Sequence, residues 1–131
     1  MSASLVLFAL QLIAGIHPIN WVHLSSRTGD LPAPNGGNQQ TASLILDIDK
    51  NGTDDFVITD RSVIPSVVWY RRSVGGWTKY VIDNTILNIE AGGACYDIDG
   101  DGDLDVVFGG DYQSNQVWWW ENPYPNFNPS T

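Results

Sequence analysis

Asp97-Ile98-Asp99-Gly100-Asp101-Gly102-Asp103-Leu104-Asp105 is the stretch on which the reading of this chain turns. Carboxylates stand at loop positions 1, 3, 5 and 9, as Asp97, Asp99, Asp101 and Asp105, and Gly102 occupies position 6, where the backbone must turn sharply. That spacing folds acidic side chains around one hard cation, which takes about six to eight oxygen ligands at about 2.3–2.6 Å. An EF-hand would place a bidentate Glu at position 12, and that position is Phe108. Leu104 to Phe108 is an apolar β-type run. The loop therefore leads into a strand, and the EF-hand reading fails.

The same pattern occurs once more, fifty residues earlier. Leu46 to Ile58 aligns without a gap to Tyr96 to Phe108, so that Asp47, Asp49, Gly52 and Asp55 fall on Asp97, Asp99, Gly102 and Asp105. The match extends to Val67 on Val117 and Trp69 on Trp119. A fixed period of roughly 20–50 residues marks a repeat architecture, in which each unit needs a neighbour to bury its faces. The first copy is the weaker metal site, because Asn51 replaces Asp101 and removes one charge. Without a metal, each loop would be a plain Asx-rich turn. The EF-type spacing favours the metal.

A length of 131 residues allows one ordinary domain. Six Lys and Arg stand against fifteen Asp and Glu, for a formal charge of −9. Seven of those acids are the expected ligands, three in the first loop and four in the second, so two bound Ca²⁺ would bring the chain to −5. The acidity is thus largely metal-binding acidity. It excludes nucleic acid as a partner, because no basic patch is present to neutralise phosphates.

Leu5 to Ala14 is a short apolar run. It falls below the ~20 residues of a membrane span and matches the core of a secretory signal. Residues 1–15 are accordingly expected to be a signal peptide cleaved near Ala14 and Gly15, in preference to a buried first strand. The segment Met1-Ser2-Ala3-Ser4 carries no Lys or Arg. A secreted, cell-surface or periplasmic location with no transmembrane span follows, and millimolar extracellular calcium would fill loops of ordinary affinity. Cys95 is the single cysteine, so no disulfide framework exists and a buried thiol is expected.

Strands are expected at Trp21–Leu24, Ser43–Ile48, Phe56–Thr59, Val67–Arg71, Trp77–Ile82, Ala94–Ile98, Leu104–Phe108 and Gln116–Trp120. Ser73, Gly75 and Gly76 supply a hairpin turn, and residues 29–40 are a Pro-, Gly- and Asn-rich loop. The fold class is all-β, built of four-stranded antiparallel propeller-blade repeats with calcium loops between the first two strands of each. Residues 16–41 would be a partial blade and loop, 42–92 the first repeat, 93–123 the second, and 124–131 a linker or truncated edge. Val67 and Trp69 alternate with Val68 and Tyr70, as do Val117 and Trp119 with Trp118 and Trp120. Both faces are apolar, as stacked blades require.

The two Asp-x-Asp-x-[Asn/Asp]-Gly-x-x-Asp loops, followed by Phe108-Gly109-Gly110 and Trp118-Trp119-Trp120-Glu121-Asn122-Pro123 in the second copy, resemble the FG-GAP/VCBS repeats of integrin-α-like β-propellers. The resemblance covers residues 42–123. It implies that each loop holds a cation through Asp side chains and one backbone carbonyl, here those of Thr53 and Asp103. Ca²⁺ is the implied ion, with Mg²⁺ an alternative at the first loop. Asn51-Gly52-Thr53 is also a glycosylation sequon, and a glycan there would remove Asn51 as a ligand. A closed propeller takes about four to eight blades. The resemblance therefore implies an N-terminal fragment of a longer protein, in preference to several chains completing a ring.

The leading functional expectation is a secreted, calcium-stabilised module that binds a protein or glycan ligand or acts as a scaffold. The alternative is part of a carbohydrate-active enzyme, a polysaccharide lyase or sugar dehydratase, with Asp60, Arg61, Glu90, Asp111 and Tyr112 on the loops opposite the metal loops and Arg71 and Arg72 near a strand end. A carboxylate beside an Arg could abstract a proton next to a sugar carboxylate. Solvated turn residues are the plainer account of the same positions. His17 and His23 have no partner motif, and no residue stands out as catalytic.

Overall fold

A computed structural model describes residues 19–128. The expected signal peptide, residues 1–15, lies outside the described residues. Among these, the fold is all-β with no helix, built from two antiparallel sheets. The first runs β1 (Gln40–Leu46), β2 (Asp55–Asp60), β3 (Val67–Ser73) and β4 (Gly76–Asp83), paired in chain order. The second runs β5 (Ile89–Tyr96), β6 (Asp105–Gly110) and β7 (Val117–Trp120). Short strands joined by tight turns pair with their chain neighbours because two antiparallel strands need only a brief connection.

The alternation of side chains sorts each sheet into two faces. Leu44 pairs with Val57 and Val57 with Trp69, so these residues share one face of the first sheet with Leu46 and Val67. That face packs on the second sheet, forming a core with Ile89, Val106 and Phe108, against which Cys95, Trp118 and Trp120 lie partly buried. β1 runs beside β5, and Thr41 Oγ1 donates to the carbonyl of Ile89 across the junction. Trp120 Nε1 closes the far side by donating to Asp83 Oδ2 at 3.1 Å. Phe127 lines the adjoining cleft, its ring 4.7 Å from that of Trp69.

The sheets stack front to back. Counted fifty positions on, the second sheet's contact residues Val106, Phe108, Trp118 and Trp120 correspond to Phe56, Ile58, Val68 and Tyr70, which point away from the interface. That rear face of the first sheet is covered by the segment before β1. Tyr70 donates its hydroxyl to the carbonyl of Pro32 at 2.8 Å, and Lys79 Nζ reaches the carbonyls of Ala33 and Pro34 at 2.9 and 3.1 Å. Phe56 stacks on Tyr70 with ring centroids 4.6 Å apart.

The structure departs from the sequence reading at four places. Trp21–Leu24 forms no strand; Trp21 is exposed and no described strand pairs with this segment. β5 begins five residues early, at Ile89, because a register irregularity between Ile89 and Gly93 carries pairing across Gly92 and Gly93. Val117 and Trp119 are exposed, whereas their counterparts Val67 and Trp69 are buried against the second sheet. Cys95 is half-buried and free instead of fully buried.

Candidate functional site

Both acidic loops join the first two strands of their sheets, β1 to β2 and β5 to β6. Each turns where the spacing requires. Gly52 and Gly102, at position 6, have φ of +81° and +95°, a left-handed region that side chains rarely enter. Lys50 and Gly100, at position 4, take the same hand with φ of 55° and 82°.

The position-1 carboxylates organise these turns. Asp47 accepts the N–H groups of Asn51 and Gly52 at 3.0 and 2.8 Å. Asp97 accepts those of Gly100 and Gly102 at 2.8 and 3.0 Å. At position 5, Asn51 Oδ1 accepts from Thr53 N at 2.8 Å, and Asp101 Oδ1 accepts from Asp103 N at 3.1 Å. Asp99 Oδ1 accepts from Asp101 N at 3.2 Å. The result is two bowls of oxygen. Carboxylate oxygens of Asp47, Asp49 and Asp55 lie within 4.8 Å of one another, as do those of Asp97, Asp99 and Asp101.

The last aspartate of each loop is also a latch, Asp55 onto β3 and Asp105 onto the segment just after β7. Asp55 accepts Arg72 N at 2.7 Å on one oxygen and Trp69 Nε1 at 2.9 Å on the other. Asp105 accepts Asn122 N at 2.8 Å and Ile98 N at 3.1 Å. Asp55 closes its own oxygen cluster, whereas Asp105 stands outside the second. Asn51 is exposed and Thr53 half-buried at the rim.

Two oxygens test whether a cation fits. Asp49 Oδ1 and Asp103 Oδ1 are buried without a hydrogen-bond partner. A buried carboxylate oxygen with no donor is costly; at Asp49, a member of the first cluster, a hard divalent ion would satisfy it, whereas the Asp103 side chain lies outside the second cluster. Burial, foremost, raises the Asp55 carboxyl above its usual range, with Asp49 and Asp47 adding repulsion against the bonds from Arg72 and Trp69. Burial likewise raises Asp103, helped by Asp101 and Asp105. The donor set is all oxygen, so a hard divalent cation such as Ca²⁺ or Mg²⁺ would be held by Asp47, Asp49 and Asp55 at the first loop and by Asp97, Asp99 and Asp101 at the second. An ion there would supply charge neutralisation and a fixed turn.

Three features carry no sequence signal. Arg71 Nε donates to Asp49 Oδ2 at 2.5 Å, placing a guanidinium against the first loop. Asn122 is buried and donates to the carbonyls of both Ile48 and Leu104, one from each loop, at 3.0 and 3.1 Å. Lys50 Nζ, from the first loop, donates to the carbonyl of Gly102 in the second at 3.0 Å. The two loops thus sit side by side.

At the opposite end, the acidic positions serve the fold. Asp60 Oδ1 accepts from Ser62 N, Ser62 Oγ and Val63 N at 2.8–3.0 Å. Burial works to raise its carboxyl, yet these bonds together hold it below the usual range. Asp111 accepts Gln113 N at 2.9 Å, and Arg61 pairs with Glu90 at 2.6 Å and lies 3.9 Å from Asp111. Tyr112 is exposed. Every one of these carboxylates has a turn or ion-pair partner. Comparison of the chain with protein-family models, curated proteins and solved structures gave no match.

Proposed function

We propose that this chain is a calcium-stabilised repeat module of β-propeller type, acting extracellularly as a scaffold or as a ligand-binding surface for protein or glycan. The observation that carries the reading is the pair of acidic loops with matching turn bonds, the first of which leaves a buried carboxylate oxygen of its own cluster, Asp49 Oδ1, unpartnered. Ca²⁺ at each loop would be structural: it offsets the repulsion of clustered carboxylates, so binding free energy appears as folding free energy. The front-to-back stacking supports the propeller arrangement, because radial blades meet in that sense. On this reading the outer face of the second sheet, where Ala94, Tyr96, Val117 and Trp119 are exposed and Val107 is half-buried, is the place for a further unit of the same kind, from a longer chain or a second copy. Calorimetric calcium titration with melting in calcium and in chelator tests the metal; binding of two ions with a raised Tm supports it, and no binding removes it. A glycan array tests the ligand class.

A further inference from the structure

The two loops are not electrostatic equals. Asp49 is buried, with Oδ2 bonded to Arg71 and Oδ1 without a partner, and one of its carboxylate oxygens lies within 4.8 Å of oxygens of Asp47 and Asp55. The guanidinium therefore occupies one side of a candidate ligand and leaves the other for an ion. A side-chain hydrogen bond with Tyr80 also favours the charged guanidinium. A surface depression beside this loop is lined by Asn51, Thr53, Arg71, Arg72 and Ser73, so two arginines border the approach as well. The counterpart of Arg71 fifty positions on is Glu121, which is exposed. Among the described residues no Lys or Arg pairs with Asp97, Asp99 or Asp101. Lys50 is the nearest cation named at that loop, and it bonds a backbone carbonyl, not one of those carboxylates.

We propose that Arg71 sets the cation affinity of the first loop, making the loops unequal sites of which the second fills first. The inference rests on the calcium reading above. A carboxylate already neutralised on one oxygen gives less charge to an ion on the other, and ligand charge is what tunes such sites. The fixed cation also repels an arriving one across a short distance in a partly buried setting. In return, Arg71 keeps Asp49 from being a buried bare charge when no ion is bound. The first loop is thereby less strained when empty, and the second depends more heavily on its ion.

Calcium calorimetry on the full chain tests this, with terbium(III) luminescence read through Trp69, whose indole N–H sits on Asp55 at 2.9 Å. The wild type is expected to bind in two steps, with Trp69-sensitised emission in the weaker. Asp101→Asn identifies the second-loop step by weakening it. Arg71→Gln tightens the first-loop step by about tenfold and lowers the Tm of the chelated chain, while Arg71→Lys keeps the wild-type affinity. An Arg71→Gln protein with unchanged or weaker first-loop binding overturns the proposal. So does a wild type whose first loop fills before or together with the second, a result that needs no variant to fold. Failure of either loop to bind any cation removes the calcium reading itself, and the inference with it.

Discussion

The side-chain amide of Asn122 donates to the carbonyl of Ile48, 74 positions away, at 3.0 Å. The same nitrogen reaches Leu104 O at 3.1 Å, and the Asn122 N–H bonds Asp105 at 2.8 Å. One buried residue after β7 therefore fastens the first loop to the second. Asn122→Ala leaves both carbonyls without that donor and should cost about 2–4 kcal/mol of stability. Asn122→Asp, which when ionised has no donor, should cost at least as much. Urea unfolding of the three proteins checks both statements.

Tyr70 supplies a pH dependence of known sign. Burial pushes its phenol from 10.0 up to about 12. The folded chain thus holds the proton more tightly than the unfolded one. Its contribution to stability is complete below pH 10 and is lost as pH rises toward about 12. Tyr70→Phe loses the bond to Pro32 and about 1 kcal/mol at neutral pH. It also lacks this titration, so the gap to wild type should narrow steadily as urea midpoints are measured at increasingly alkaline pH.

Gly93 lies under an aromatic ring. A Cβ there would stand 2.5 Å from Phe108 Cδ1 and 2.5 Å from the backbone oxygen of Val107. The backbone oxygen cannot step aside, so Gly93→Ala should cost about 1–3 kcal/mol. Because Phe108 is fully buried at the sheet interface, the loss should appear as a lower urea midpoint.

Gly102 carries the turn of the second loop at φ +95°. Gly102→Ala forces a side chain into the left-handed region and should cost about 1–2 kcal/mol. Its second effect should be weaker calcium binding at the second loop, read by calorimetry, with the first-loop step unchanged.

Much of this fold was legible because β-branched and aromatic runs mark β2, β3, β4, β6 and β7 to within one or two residues. β1 starts earlier than its apolar residues suggest, since Gln40 pairs with Asp60 through backbone groups that composition does not reveal. Trp21–Leu24 misleads for the opposite reason: its residues favour strands, but a strand needs a partner. At the site, the Asp spacing and Gly52 and Gly102 were readable because they are local. Arg71 on Asp49, Trp69 on Asp55 and Asn122 on Ile48 join residues separated by 22, 14 and 74 positions, and no local pattern encodes them. The repeat alignment itself hides Asn122, since its counterpart is Arg72 and only the backbone bond to the loop aspartate is common to both.

The acidic loops are proposed as cation sites on which the fold depends. Calcium titration by calorimetry, paired with thermal melting in calcium and in chelator, addresses that proposal most directly. Two bound ions and a Tm that falls sharply in chelator are the predicted result. No heat of binding and identical melting curves would contradict it and leave both loops as hydrogen-bonded Asx turns.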